Sequence, residues 1–150
     1  MKPIFNKQAG FDYEILEKYD AGLVLAGQEV KSVKNGQMNL KGAYVAFKHD
    51  PSPELFLINA HISKYKCAGP LPDYDPTHSR KLLLKKDEIA SLIGKLKQKG
   101  LTLIPLKVYT NRNLVKVEIG LGRGKKRFEK KDQKKEKDIE RETRREMGGY

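Results

Sequence analysis

The sequence predicts a mainly β fold with helices: a small closed barrel of five or six strands, one main helix and one short helix, followed by a basic tail. Three observations carry this. Short runs of β-branched, aromatic or alternating apolar residues recur along the first 122 positions, separated by turn signals. One amphipathic helical pattern lies between them. The last stretch, Arg123 to Tyr150, holds only four sizeable non-polar side chains, Phe128, Ile139, Met147 and Tyr150. Four such groups cannot offset the entropy of ordering, so the segment alone is expected to be disordered or frayed. Short twisted strands around one helix fit a closed barrel of the oligonucleotide-binding (OB) type. A ferredoxin-like sandwich is the structural alternative, but it would want two helices of comparable length.

In chain order, residues 1–10 read as an extended arm. Tyr13, Ile15, Leu23, Val24 and Leu25 suggest two strands between Phe11 and Ala26, with a kink or turn at Asp20-Ala21-Gly22. Gln28 to Lys34 is a short helical turn closed by Asn35-Gly36. Strands are expected at Ala43–Lys48 and Leu55–Ile62, with a turn across His49 to Pro53. Lys64 to Arg80 contains Gly69, Pro70, Pro72 and Pro76 and reads as a long surface loop. The main helix spans Asp87–Lys99: Ile89, Leu92, Ile93 and Leu96 form its apolar face, Asp87 is the expected N-cap and Gly100 the stop. Leu101–Tyr109 and Leu114–Leu121 complete the set as a hairpin-like pair, with Val115 to Ile119 alternating as a half-buried strand does. Three regions follow: the arm, a barrel over residues 11–122 and a tail over 123–150.

The net charge is +12, and both parts are basic: the tail has twelve Lys/Arg against seven Asp/Glu, the body nineteen against twelve. Such a surface points to a polyanionic partner. The chain has no 18-residue apolar run, and the tail lacks the apolar face of an interfacial helix, so a membrane is not the expected partner. A single cysteine, Cys67, forms no intrachain disulfide. With no signal-peptide pattern at the N-terminus, a cytoplasmic monomer is expected. The tail charges are ordered: Arg123, Arg127, Lys130, Lys134, Lys137, Arg141 and Arg144 follow at alternating steps of four and three. In a helix they would make one cationic stripe, because residues three and four apart share a face.

Catalytic chemistry is not expected. His49, His61 and His78 stand far apart without metal-ligand spacing. Asp73 and Asp75 flank Tyr74 in the proline-rich loop and suit turn formation better than ion binding. Gly120, Gly122 and Gly124 form a G-x-G-x-G run that precedes the polar tail and no packed helix, so it reads as a hinge and not as a phosphate cradle. No cofactor or metal is implied. For RNA, Lys31 and Lys34 make an i, i+3 cationic pair, and Arg80, Lys81 and Lys116 add charge. Glu29 cannot bind phosphate; it is either a structural partner of a nearby lysine or an acceptor from a base. Leu83 should face away from Leu82 and Leu84 in an extended run, so it suits an apolar base contact. Phe128, the one aromatic between Tyr109 and Tyr150, suits stacking.

From Gly27-Gln28-Glu29-Val30-Lys31-Ser32 onward, the chain resembles the SmpB family, the partners of bacterial transfer-messenger RNA. The similarity runs through Asn39-Leu40, Asn59-x-His61-Ile62-x-x-Tyr65, Arg80-Lys81-Leu82-Leu83-Leu84, the run Gly100 to Leu106, Val115-Lys116-Val117 and Gly124-Lys125-Lys126. It spans about Asn6 to Lys131. The resemblance implies an OB-type barrel that grips the tRNA-like domain of that RNA. It also implies a tail that becomes helical in the messenger channel of a stalled small ribosomal subunit, against ribosomal RNA, during trans-translation. RNA contacts would fall on Asn6, Asp20, Leu83 and Lys116. The tail motif would fall on Glu129-Lys130-Lys131, with Lys125, Lys126, Arg127, Phe128, Lys134, Lys137, Arg141 and Arg144 around it. The chain departs from the family pattern at Gly42-Ala43, where Asp-Ser is common, at His78, where arginine is common, and at Glu129 and Lys131. Two other readings remain: a generic ribosomal protein or RNA chaperone, and a metal-dependent nuclease using Asp73 and Asp75.

Overall fold

The computed structural model describes residues 1–49 and 52–125. Nine strands and three α-helices follow in the order β1 Ile4–Phe5, α1 Ala9–Asp12, β2 Tyr13–Leu23, α2 Gly27–Lys34, β3 Met38–Asn39, β4 Tyr44–Lys48, β5 Glu54–Ile58, β6 His61–Ile62, β7 Arg80–Leu83, α3 Lys86–Leu96, β8 Leu101–Asn111 and β9 Leu114–Gly124. Seven strands form one antiparallel sheet in the order β1-β8-β9-β2-β7-β5-β4, while β3 and β6 pair separately.

Period-two alternation sets the core. Val115, Val117 and Ile119 of β9 point inward with Leu55 and Leu57 of β5 and Leu82 of β7, all nearly or fully buried. Each such side chain stabilises the fold by about 1.5–3 kcal/mol on burial. Leu92 is the buried anchor of α3, with Leu96 packed at its margin.

Several expectations are corrected. The strands pair as an open series: β4 comes close to β8, but among the described residues no ladder joins them. The outer edge of β8 is already occupied at Lys107 and Val108 by β1, and Pro105, at a bulge, has no N–H to give. The arm is therefore structured, as β1 and the short α1. Phe11–Ala26 holds one long strand, not two. Asp20, Ala21 and Gly22 sit within it, paired continuously to β9, and Ala21 is fully buried. The expected Leu55–Ile62 strand is broken at Asn59, whose φ is +63°, so that β6 leaves the main sheet for β3. The main helix starts one residue earlier and ends three residues sooner than expected, at Leu96. Its N-cap is Lys85, which makes no side-chain capping bond.

Gly120 and Gly122 are not a hinge. Both are buried within β9, which is paired to β2 and β8 on its two sides. A Cβ on Gly122 would lie 3.0 Å from the Glu14 carbonyl oxygen and 3.0 Å from Ile104 Cδ1. Gly122→Val should therefore cost about 1–3 kcal/mol by overpacking. Gly124→Val, where the added carbon meets nothing within 4 Å, should stay within about 0.5 kcal/mol. Thermal melting of the two variants checks this, since a true hinge would tolerate both equally.

Candidate nucleic-acid interface

The β8–β9 hairpin turns on Arg112 and Asn113, with φ of +50° and +67°, the left-handed pair of a tight two-residue connection. That turn sets the register: Tyr109 stands opposite Lys116, Lys116 opposite Gly22 of β2, and Gly22 opposite Leu83 of β7. Cross-strand partners share a face. Tyr109, Lys116 and Leu83 thus form one row on the outer surface of the sheet, with Gly22 leaving an open step between the last two. The neighbouring row on the same face runs Phe5, Lys107, Glu118 and Asp20. Leu83 and Phe5 are 53% and 61% exposed.

The charges on this face are unevenly neutralised. Lys18 and Lys107 flank Glu118 at 3.6 and 3.4 Å. Lys116, half-buried between them and Leu83, makes no ion pair among the described residues. The Tyr109 hydroxyl donates to Asp20 Oδ1 at 2.8 Å. Burial, and then the Asp20 carboxylate, push the Tyr109 hydroxyl up to about 12, so it remains a donor at neutral pH. Asp20 keeps its second oxygen for a sugar hydroxyl or base amine. A lone cation flanked by a tyrosine and an exposed leucine can hold a phosphate while a base rests beside it.

Arg80 and Glu29 are not part of this surface. Arg80 Nε and Nη2 donate to Glu29 Oε2 at 2.9 and 2.7 Å, and the guanidinium also reaches the Ala60 and Pro76 carbonyls at 2.6 and 2.9 Å. The two side chains are 1% and 2% exposed. Glu29 further accepts from Tyr74 Oη at 3.1 Å and from the Ala26 amide at 3.1 Å at the start of α2, and it meets His78 Nε2 at 2.9 Å. Burial raises the Glu29 carboxyl, but Arg80 and the Ala26 amide outweigh it and hold the group below its ordinary value. The expected RNA contact at Arg80 is corrected. Its charge is consumed by a buried acid, and a buried pair needs every remaining donor satisfied, which the carbonyls supply. Glu29 takes the structural alternative, but its partner is Arg80 and not the expected lysine.

The other expected positions are dispersed. Asn6 is tied to β8, its Nδ2 donating to the Pro105 carbonyl at 2.9 Å and its amide to Leu106 at 2.8 Å. Lys31 and Lys34 are exposed on α2, away from the row. Lys81 lies 3.4 Å from Glu54, so its charge is partly offset. Lys125 fastens the end of β9 to α1: its amide donates to the Asp12 carbonyl and its Nζ to the Gly10 carbonyl, both at 2.8 Å. Lys126, Arg127, Phe128, Glu129, Lys130, Lys131, Lys134, Lys137, Arg141 and Arg144 lie outside the described residues.

Comparison with known proteins decides the family. The model of the SmpB protein family matches residues 4–149. The chain belongs to the SmpB family. An SsrA-binding protein of Thermosynechococcus vestitus is 47% identical over 142 residues, covering 95% of this chain and 91% of its own. One from Cupriavidus necator is 49% identical over 144 residues, covering 96% and 94%. A chain in the solved structure described as "tmRNA-SmpB: a journey to the center of the bacterial ribosome" superposes with a TM-score of 0.67 at 47% identity, over 83% of this chain and 85% of that one. His78, one of the departures expected from the family resemblance, turns its ring onto Glu29. Asp75 Oδ1 accepts from the Thr77 amide at 2.9 Å and hydroxyl at 3.0 Å, a turn-forming role.

Reading by sequence missed Tyr109, Phe5 and Tyr74. The signal for Tyr109 was present: a two-residue turn at Arg112-Asn113 sets Tyr109 across from Lys116 by counting alone. Nothing local marks Tyr74 as a ligand of Glu29, 45 residues away.

Proposed function

We propose that this chain binds the tRNA-like domain of transfer-messenger RNA through the outer face of its main sheet and delivers it to stalled ribosomes for trans-translation. It is a binding protein, not an enzyme. The row of Tyr109, the unpaired Lys116 and the exposed Leu83 carries this reading, with Asp20 in the neighbouring row. The names of the curated relatives and the ribosomal context of the solved neighbour support it. The sheet is a barrel of OB type left unsealed where β4 nears β8. Beyond Lys125 the tail engages ribosomal RNA and becomes helical there, a reading supported by the spacing of its cations. Among the described residues no helix is long and apolar enough to cross a membrane, and action on bacterial ribosomes supports a cytoplasmic location.

Lys116→Ala should lower affinity for the isolated tRNA-like domain and reduce the slope of log affinity against log salt by about 0.7–0.9, the loss of one phosphate contact. Filter binding across a salt series measures both. An unchanged slope would move Lys116 off the interface, and equal affinity for any structured RNA would favour a generic module.

A further inference from the structure

Beside α2 lies a second feature that the outer face does not absorb. A crevice of about 490 Å³, lined by Ser32, Asn35, Gln37, Ser63, Lys64 and Tyr65, opens between the C-terminal end of α2 and the segment after β6. Its volume falls in the range that small ligands occupy, roughly 300–1,000 Å³. The walls are built by named contacts. Ser32 Oγ donates to the Ser63 carbonyl at 2.5 Å, the Ser63 amide donates to the Gln37 carbonyl at 3.0 Å, and the Tyr65 amide donates to Gln28 Oε1 at 2.9 Å. Tyr65 is thereby held half-buried at one side.

The chemistry of the lining is specific. The side-chain amides of Asn35 and Gln37 make no hydrogen bond among the described residues, and each offers a donor and an acceptor. The carbonyl end of α2 gives this corner a partial negative charge, which favours donors such as exocyclic amines over an anion. Cations stand around it instead: Lys31, Lys34 and Lys66 are exposed, and Lys31 Nζ lies 5.7 Å from the Tyr65 ring centroid. Lys64 closes the loop by donating to the Gly69 carbonyl at 2.9 Å. No carboxylate lines the crevice. A flat ring, paired amides and a surrounding arc of lysines match a nucleotide whose base is out of its stack, and they do not match a protein segment or a free phosphate.

We propose that this crevice holds one unstacked nucleobase of a single-stranded RNA segment. The base lies against Tyr65 and hydrogen-bonds to Asn35 and Gln37, while Lys31, Lys34 and Lys66 meet the flanking phosphates. It is a second RNA contact, sharing no residue with the Tyr109–Lys116–Leu83 row, and it rests on the reading of the chain as an RNA-binding protein.

The probe is a fluorescent 12-nucleotide single-stranded RNA of mixed sequence, compared with an abasic strand of the same length and charge, both titrated with the full chain. The intact strand should bind more tightly than the abasic one. Tyr65→Ala should remove about tenfold of affinity for the intact strand, leaving abasic binding and the salt slope unchanged. Tyr65→Phe should keep the affinity, which separates stacking from misfolding. Asn35→Ala should reduce the preference for the intact strand, with the melting temperature unchanged. Equal binding of both strands, or an unaffected Tyr65→Ala, overturns the proposal. The tRNA-like domain, titrated in parallel with Lys116→Ala, reports separately on the outer face.

Discussion

Replacing Arg80 with methionine should be among the most damaging single changes in this chain, costing about 3–5 kcal/mol, because it leaves the Glu29 carboxylate buried without its counter-charge. Methionine approximates the volume, so the loss isolates charge and hydrogen bonding from packing. The Ala60 carbonyl also loses its donor, whereas that of Pro76 keeps the Ile62 amide, so one orphaned buried acceptor adds about 1–3 kcal/mol of desolvation at most. For a domain of this size, a fall in melting temperature of about 10–20 °C is expected. The pH profile adds a second readout. Because the folded-state value of Glu29 is depressed, its contribution is complete above the ordinary carboxylate range and is lost as pH falls through the depressed value. Without Arg80, burial dominates and the folded value rises, so that in the variant acid should stabilise where it weakens the parent. Calorimetry between neutral and acid pH checks this; a small shift in melting temperature, or the same acid limb in both proteins, would contradict the buried-pair account.

Ending the chain after Lys125 should abolish peptide tagging on stalled ribosomes while leaving the fold and binding of the isolated tRNA-like domain close to intact. The placement of the cut matters. Arg123 and Gly124 pair with Glu14 and Tyr13 of β2, and Lys125 is bonded to Asp12 and Gly10, so an earlier cut would strip ladder bonds from β9. Beyond Lys125 the tail is nearly all polar, and its cations can supply phosphate contacts to ribosomal RNA only in the intact protein. Within the full chain, Lys134→Pro should reproduce the defect, because proline in a helix interior costs about 3 kcal/mol. Melting, RNA-domain binding and a reconstituted tagging assay separate the cases. Tagging by the shortened chain would reject a role for the tail, and weakened RNA-domain binding would mean that the tail shares the outer face.

What was legible in the sequence was local and periodic. The alternation from Val115 to Ile119 gave β9 its faces, and the same argument put Leu83 outside and Leu82 inside. Gly36, with φ of +76°, closes α2 as a terminating glycine should. Non-local burial was not legible. Arg80 reads as a phosphate ligand because sequence displays charge, whereas its burial is made by Glu29, 51 positions earlier, and by the Ala60 carbonyl, 20 positions earlier, with Pro76 close by in sequence. Gly120 and Gly122 read as freedom, yet Ile15, Ile104 and Leu106 fill the space where their side chains would be. Asp20-Ala21-Gly22 has the composition of a turn, but paired strands on both sides of Gly22 hold it extended. Of the positions proposed to face RNA, Lys116 and Leu83 came from charge and alternation. Their alignment with Tyr109 needed the ladder register.

The two bonds from Lys125 to α1 have a consequence for angular phase. They fix the position of Lys125 at the end of β9. In the helix proposed for the tail, which would advance about 100° per residue, the cationic stripe would be aimed by the number of residues counted from that point. One residue inserted after Lys125 would swing the stripe a quarter-turn or more off its target, whereas seven would return it to nearly the same azimuth about 10 Å further out. The body thus acts as the zero mark of a protractor, and the length between anchor and stripe is as much a part of the design as the charges themselves.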